Sequence, residues 1–371
     1  MSSIIEHRGQ KLIETEARVL ESLEKILERD ILPMEHVLPG SFGFKVKDEH
    51  VVGLVIWAKV MREESMAIIL QIMDLKQLGE LLIGYIILDY LPETIGELTS
   101  LRVLNLDGNA IEEIPESIGN LSNLETFSIS GNKIDRLPGT FKNLSKLENL
   151  NLSGNFFAEI PKDIINMQSL KDLQLGVNLI KEIPEEIGNL DRLENLGLND
   201  NFLSSLPDSI GKLEKLKFLS LKNNNLPSLP KIIGNFKYML NLDISGNFFT
   251  KLPDEFSNLT YLQVLNAKGN ELVDLPESIG KLDSLRELDL GANELETLPS
   301  SIQGWNSLQI LSLWYNKMKS IPEEIKQCRR LATLDVRGNA DVELPEGLET
   351  ALMFLEIKSE KNFVELSSKS I

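Results

Sequence analysis

The stretch Leu147 to Ser169, LENLNLSGNFFAEIPKDIINMQS, is one turn of a pattern that runs through most of the chain. It opens with leucines spaced LxxLxL, passes an asparagine at Asn155, and continues from Pro161. Stepping outward from Pro161 by 23 residues meets a proline each time: Pro92, Pro115, Pro138, Pro184, Pro207, Pro230, Pro253, Pro276, Pro299, Pro322 and Pro345. Asparagine keeps the same interval at Asn109, Asn132, Asn155, Asn178, Asn201, Asn224, Asn247, Asn270, Asn293, Asn316 and Asn339. A period sustained over twelve units means a repeat architecture, in which each unit buries its apolar face only by stacking on its neighbours.

The chemistry of one unit follows from its spacing. In a strand, alternate side chains face opposite ways, so Leu150 and Leu152 go inward while Asn149, Asn151 and Ser153 go outward. An inward asparagine at the following bend can satisfy main-chain groups of adjacent coils that would otherwise be buried unpaired. After the proline, PESIGNL (Pro115 to Leu121) and PEEIGNL (Pro184 to Leu190) predict a short helical return, with proline suited to its first position and acids near its positive end. Parallel strands stack about 4.8 Å apart and the return segments are wider. The expected fold is therefore an α/β solenoid, a horseshoe with a concave parallel β-sheet and short convex helices or turns.

The unit LxxLxLxxN, together with endings such as LPDSIGKL (Leu206 to Leu213) and LPESIGKL (Leu275 to Leu282), resembles the leucine-rich repeat family. The 23-residue length is similar to the intracellular class of Scribble-like and plant Ras-group-related proteins, and the resemblance covers about Leu75 to Leu348. It implies a non-enzymatic interaction scaffold with partners among Ras-like small GTPases or their signalling complexes.

A solenoid needs caps, because its end coils would otherwise expose core and unpaired strand edges. The expected organisation is an N-terminal cap over 1–50, a solenoid over 51–351 with a degenerate first strand before the twelve units, and a C-terminal cap strand and polar tail over 352–371. Gln10 to Asp30 carries Leu12, Ala17, Val19, Leu20, Leu23, Ile26 and Leu27 at helical spacing, which predicts an amphipathic cap helix. The competing use of that helix is partner binding, with Trp57 beside it. FGFKV, the turn KDEH and VVGLVIW predict a hairpin that starts the sheet, and Glu64 to Leu78 a longer convex helix. LMFLEIKS (Leu352 to Ser359) repeats LxxLxI two residues early and is expected as the last strand, with a tail from about Glu360. The most apolar run, LLIGYIIL (Leu81 to Leu88), falls on the same period, but Ile86 stands where the asparagine should be. An apolar residue packed under the cap would explain it.

Composition excludes several functions. The net charge of −18 argues against a nucleic-acid partner, which needs clustered Lys and Arg. No apolar run reaches the roughly 18 residues of a membrane span, and the N-terminus lacks the pattern of a secretory signal. One cysteine, Cys328, and three histidines provide neither a disulfide nor a zinc cluster, so the expected setting is cytoplasmic and no cofactor is expected. The phosphate loop, dinucleotide, nucleophile-elbow and HExxH motifs are absent. Cys328 occupies the apolar slot of Leu259, Leu282 and Trp305, a core position. The Asn-x-Ser/Thr matches at Asn120, Asn143, Asn151 and Asn258 have no use without export. Asp243, Asp289 and Asp335 share one outward column two strands apart, about 9.6 Å, a spacing that suits an inverting glycosidase. The face is nonetheless open and shallow, and a solvated charge ladder fits it better.

Binding is left to the shape and chemistry of the concave face. Its early part, including Thr126, Ser128, Ser130, Asn149, Asn151, Ser153, Asp172, Gln174, Asn195 and Asn199, is small and polar. Its later part holds Phe218, Lys222, Asp243, Val264, Lys268, Glu287, Asp289, Ile310, Trp314, Tyr315, Asp335 and Arg337. Aromatic residues among charges of both signs are the composition of an interface hot spot, and Trp314 with Tyr315 replaces residues that are small in Ser153-Gly154 and Gly291-Ala292. The later part is the expected partner-binding surface.

Overall fold

A computed structural model of the chain describes residues 3–59, 62–352 and 354–359. They form two compact units, Met1–Leu179 and Ile180–Ile371.

The first unit opens with a hairpin that the sequence pattern did not reveal, β1 (Ile4–His7) against β2 (Gln10–Ile13). Arg8 and Gly9 turn it with φ of 50° and 77°, both left-handed, as the tightest right-twisted hairpins require. Helix α1 (Glu14–Leu27) therefore starts four residues later than its spacing suggests, because Gln10 to Ile13 is drawn into strand pairing. Ala17, Val19, Leu20 and Leu23 of α1 are buried. So is Glu16, whose carboxylate accepts the Val51 amide at 2.7 Å and meets His50 Nδ1 at 2.8 Å. The helix is thus bonded to the strand it covers, and its apolar stripe is already occupied.

The sheet of this unit begins with β3 (Leu32–Pro33), β4 (Phe42–Lys47) and β5 (His50–Trp57), the last two forming the expected hairpin through left-handed Asp48 and Glu49. Helix α2 (Arg62–Ile72) then returns the chain to β6 (Glu80–Gly84), and β7 (Val103–Asn105), β8 (Thr126–Ser128), β9 (Asn149–Asn151) and β10 (Asp172–Gln174) follow in parallel. Each pairing advances by 23 residues from β6 onward, as in Val103 opposite Thr126 and Asn149 opposite Asp172.

The second unit repeats the coil through β11 (Asn195–Gly197), β12 (Phe218–Ser220), β13 (Asn241–Asp243), β14 (Val264–Asn266), β15 (Glu287–Asp289), β16 (Ile310–Ser312) and β17 (Thr333–Asp335). A one-turn helix α3 (Leu348–Ala351) precedes β18 (Glu356–Lys358). Here the leucine spacing misleads by two residues. Ile357 lies opposite Leu334, a full 23-residue step, because Glu356 donates to Ala332 and Val336 to Lys358, as Thr333 donates to Gln309 and Leu313 to Asp335 in the coil before. Main-chain register overrides the side-chain match. The tail expected from Glu360 lies outside the described residues.

Between most strands from β6 onward the return segments are short 3₁₀ turns. Proline does not open these turns; it sits one position before them with ψ near 150°, as at Pro115 (φ −70°, ψ 153°), and its carbonyl accepts the first turn bond, Ile118 N to Pro115 O at 3.1 Å. Glycine follows the buried isoleucine because adjacent turns nearly touch: a Cβ on Gly119 would lie 2.6 Å from the Thr140 carbonyl.

The asparagines form the expected ladder. Asn155 donates to Leu152 O in its own coil at 3.0 Å and to Ile129 O in the preceding one at 2.9 Å, and accepts the Ile134 amide at 3.0 Å. Asn316 repeats this with Leu313, Leu290 and Leu295. Ile86, in the slot that lacks asparagine, is fully buried. The coil before it is α2, and Ser65 of that helix reaches forward to the Ile87 carbonyl, so the slot is filled by core.

Candidate functional site

The strand face of the second unit carries all twelve residues expected to bind a partner, and the structure sorts them. Asp243, Asp289 and Asp335 each accept the amide two residues on, Ser245, Gly291 and Arg337, at 3.0 to 3.2 Å. Asn105, Asn151 and Asn266 do the same in their coils. The acidic column is thus a main-chain cap that aspartate or asparagine can provide, which explains its regularity without catalysis.

Asp335 goes further and is buried. Burial opposes its ionisation, but the Arg337 guanidinium, donating from Nε at 2.9 Å and Nη2 at 2.6 Å, outweighs this and holds the carboxyl below its usual range. Arg337 is correspondingly raised by the same bonds. Phe218 and Ile310 are exposed (44% and 39%), while Val264, Lys222 and Lys268 are half-buried. Glu287 is exposed and, like Asp289, has no ion-pair partner among the described residues.

Trp314 and Tyr315 form the most prominent feature. Their rings meet edge to face with centroids 5.6 Å apart, and Tyr315 is 66% exposed. The half-buried indole lies face-on over Gly291, where a Cβ would collide with its Nε1 and lie 2.6 Å from Cδ1. Tyr315 leans on Gly338, whose Cβ would come 2.7 Å from its ring. Glycine in the neighbouring coils makes room for both rings.

Tyr315 also has a φ of 48°, in the left-handed region. The same slot is left-handed in every coil: glycine at Gly108, Gly131, Gly154, Gly246, Gly269 and Gly338, but Tyr85, Val177, Asp200, Asn223, Ala292 and Tyr315 elsewhere. A non-glycine residue there costs roughly 1 kcal/mol. Tyrosine and valine lack the side-chain hydrogen bonds that ease the cost for aspartate and asparagine.

The first unit differs. Its strand face is knitted to itself: Asp107 accepts Ser128 Oγ at 2.6 Å and the Ser130 amide at 2.7 Å, and Asn105 Nδ2 at 2.9 Å. At its start, however, Trp57 and Tyr85 make a second edge-to-face pair at 5.5 Å, over Gly84 and Gly108, with Tyr85 55% exposed. Leu82, on β6 just before this pair, is buried. Sequence reading also passed over the residue after the ladder asparagine, where Phe156 and Leu179 in this unit, and Phe202 and Phe248 in the second, are exposed. Strand alternation says nothing of that slot; reading it as its own column at the 23-residue period would have found it.

Cys328 is buried, donates to Ile302 O at 3.4 Å as Trp305 Nε1 donates to Ile279 O at 3.0 Å, and burial pushes its thiol up to about 11. It is core. Among the described residues no group of His, Cys, Asp and Glu is placed to hold a metal, and no helix is long and apolar enough to cross a membrane.

With this geometry in place, the sequence profile of the Leucine-rich repeat region matches residues 65–179 and 208–297, more than half the chain. The chain belongs to the leucine-rich repeat family. Among solved structures, a leucine-rich repeat protein of Leptospira interrogans is 27% identical over 82% of this chain and 95% of its own, with a TM-score of 0.59. A plant peptide hormone receptor, RGFR1, solved with RGF2, is 27% identical with a TM-score of 0.61; the match takes in 78% of this repeat chain but only 53% of the receptor. An internalin of Listeria monocytogenes shares the fold at 20% identity, with a TM-score of 0.70 over 93% of this chain and 95% of its own. No curated protein sequence matches significantly.

Proposed function

We propose that this leucine-rich repeat protein is a non-enzymatic interaction scaffold that holds a protein partner against the strand face of its second unit, with Trp314 and Tyr315 as anchors. The observation that carries this reading is the aromatic pair seated over two glycines, half-buried Trp314 beside exposed Tyr315, the latter on a backbone that most other coils give to glycine. Large aromatic anchors beside neutral contacts are where binding energy concentrates. The likeness to a receptor solved with a peptide hormone supports a protein or peptide ligand. Similarity to the Ras-related repeat class favours a Ras-like small GTPase in a reducing, cytoplasmic setting, which the lone buried thiol suits.

The second reading places the partner on Trp57 and Tyr85, a pair of the same kind in which Tyr85 is the exposed ring. Docking through the α1 stripe is disfavoured because Leu23 and its neighbours are buried. Affinity capture from the native cell by the wild type, Trp314→Ala and Trp57→Ala, followed by binding of nucleotide-loaded small GTPases, separates these readings. Partners lost with Trp314→Ala alone are expected; partners lost only with Trp57→Ala would overturn the first reading.

A further inference from the structure

Granting that the strand face of the second unit is the binding face, its chemistry names the class of side chain that it takes. The half-buried Trp314 indole lies with one face over Gly291, where Nε1, Cε2 and Cδ1 are the ring atoms a Cβ would meet, so its other face turns away from that glycine. Tyr315 meets it edge to face at an interplanar angle of 82°. Beneath the indole, Asp289 Oδ1 accepts the amide of that same Gly291 at 3.0 Å. Glu287 lies two residues earlier on β15, with its outward side chain exposed. Neither carboxylate is in an ion pair among the described residues.

Three positive groups of this chain compete for the place. Arg337 is bound through two nitrogens to Asp335. Lys268, one coil earlier than Gly291 in the same column, and Arg286, beside Glu287, make no ion pair among the described residues. Neither lies over the indole: among the described residues the one cation found over a ring is Arg29 on Phe42, in the first unit. An outer aromatic face with carboxylates on the adjoining strand attracts a cation through both the ring quadrupole and charge. The net charge of −18 would steer a positive segment toward the molecule from a distance and repel an acidic one.

We propose that Trp314, Tyr315, Asp289 and Glu287 form a cradle for an arginine or lysine side chain on an exposed segment of the partner protein.

The test uses random dodecapeptides displayed on phage, selected on the full chain and counter-selected on its Trp314→Ala variant. That variant places alanine in a slot that other coils fill with Gly291, Ser245 and Ser153, so the fold is kept. Peptides specific for the wild type are expected to be enriched in arginine and lysine. For one such synthetic peptide, replacing its arginine with citrulline, which keeps the shape without the charge, should weaken binding roughly tenfold. Asp289→Asn with Glu287→Gln should weaken it by a similar factor, and the two losses should not multiply. Asp289→Asn retains an acceptor for the Gly291 amide, as Asn266 does for Lys268, and thermal unfolding checks that the variants stay folded. Trp314-dependent peptides that are acidic or uncharged would overturn the cation cradle while leaving the binding face in place. Absence of any Trp314-dependent peptide would overturn both.

Discussion

The two units build the same coil and finish stretches of its open face differently. In the first, Asp107 draws Asn105, Ser128 and Ser130 into one hydrogen-bonded mat, so polar atoms are spent on each other. In the second, the corresponding columns leave Glu287 and Asp289 without ion-pair partners among the described residues and raise Trp314 and Tyr315 above the sheet. A repeat fixes the inward positions and leaves the outward ones free, so neighbouring stretches of one solenoid can be inert or adhesive at no cost to the core.

The comparison can be broken first at the part that should not differ. Asn155→Ala and Asn316→Ala each orphan buried carbonyls and an amide, and each should cost about 3 kcal/mol in denaturant unfolding. Markedly unequal losses would show that the coils are not energetically alike. Next, Trp314→Ala should weaken partner binding by about 2 kcal/mol, roughly thirtyfold, and change stability by less than about 1 kcal/mol. Asp107→Ala should do the reverse, costing about 1.5 kcal/mol of stability and leaving titrations of the partner unchanged. Tyr315→Gly should raise stability by about 0.5 kcal/mol, since relief of the left-handed backbone exceeds the entropy that glycine adds to the unfolded chain. The same change should weaken binding. A loss of stability would show that Tyr315 contributes packing rather than strain.

The smallest effect is on acid stability. The Asp335 carboxyl is lowered in the folded state, so its contribution is fully present above its ordinary value near 3.9 and is lost as pH falls through the lower folded one. Unfolding curves of wild type and Asp335→Asn should therefore converge below about pH 4.

Much of this fold was legible from one period. Proline and asparagine at 23-residue intervals located the strands, the turns and the ladder, because each of those residues has a backbone duty that few others can perform. The ends were read less well for the same reason: β1 and β2 belong to no repeat, and β18 follows hydrogen-bond register rather than its leucines. On the candidate site, alternation found Trp314 and Tyr315 but could not say that aspartates of the same face cap amides, nor that Phe156 and Phe248 emerge beside the ladder. Those facts depend on where a bend turns its side chains, which is conformation rather than composition.

The ladder asparagine binds only its own coil and the one before it, as Asn316 does with Leu313 and Leu290. Among the described residues no bond of this kind is seen to skip a coil. If the chain were gripped at one end and stretched, resistance would therefore arise one rung at a time within each unit. Each rung that gave way would release a 23-residue length, about 80 Å of extended chain. The force trace would be a row of evenly spaced teeth, a molecular tape measure graduated by its own asparagines.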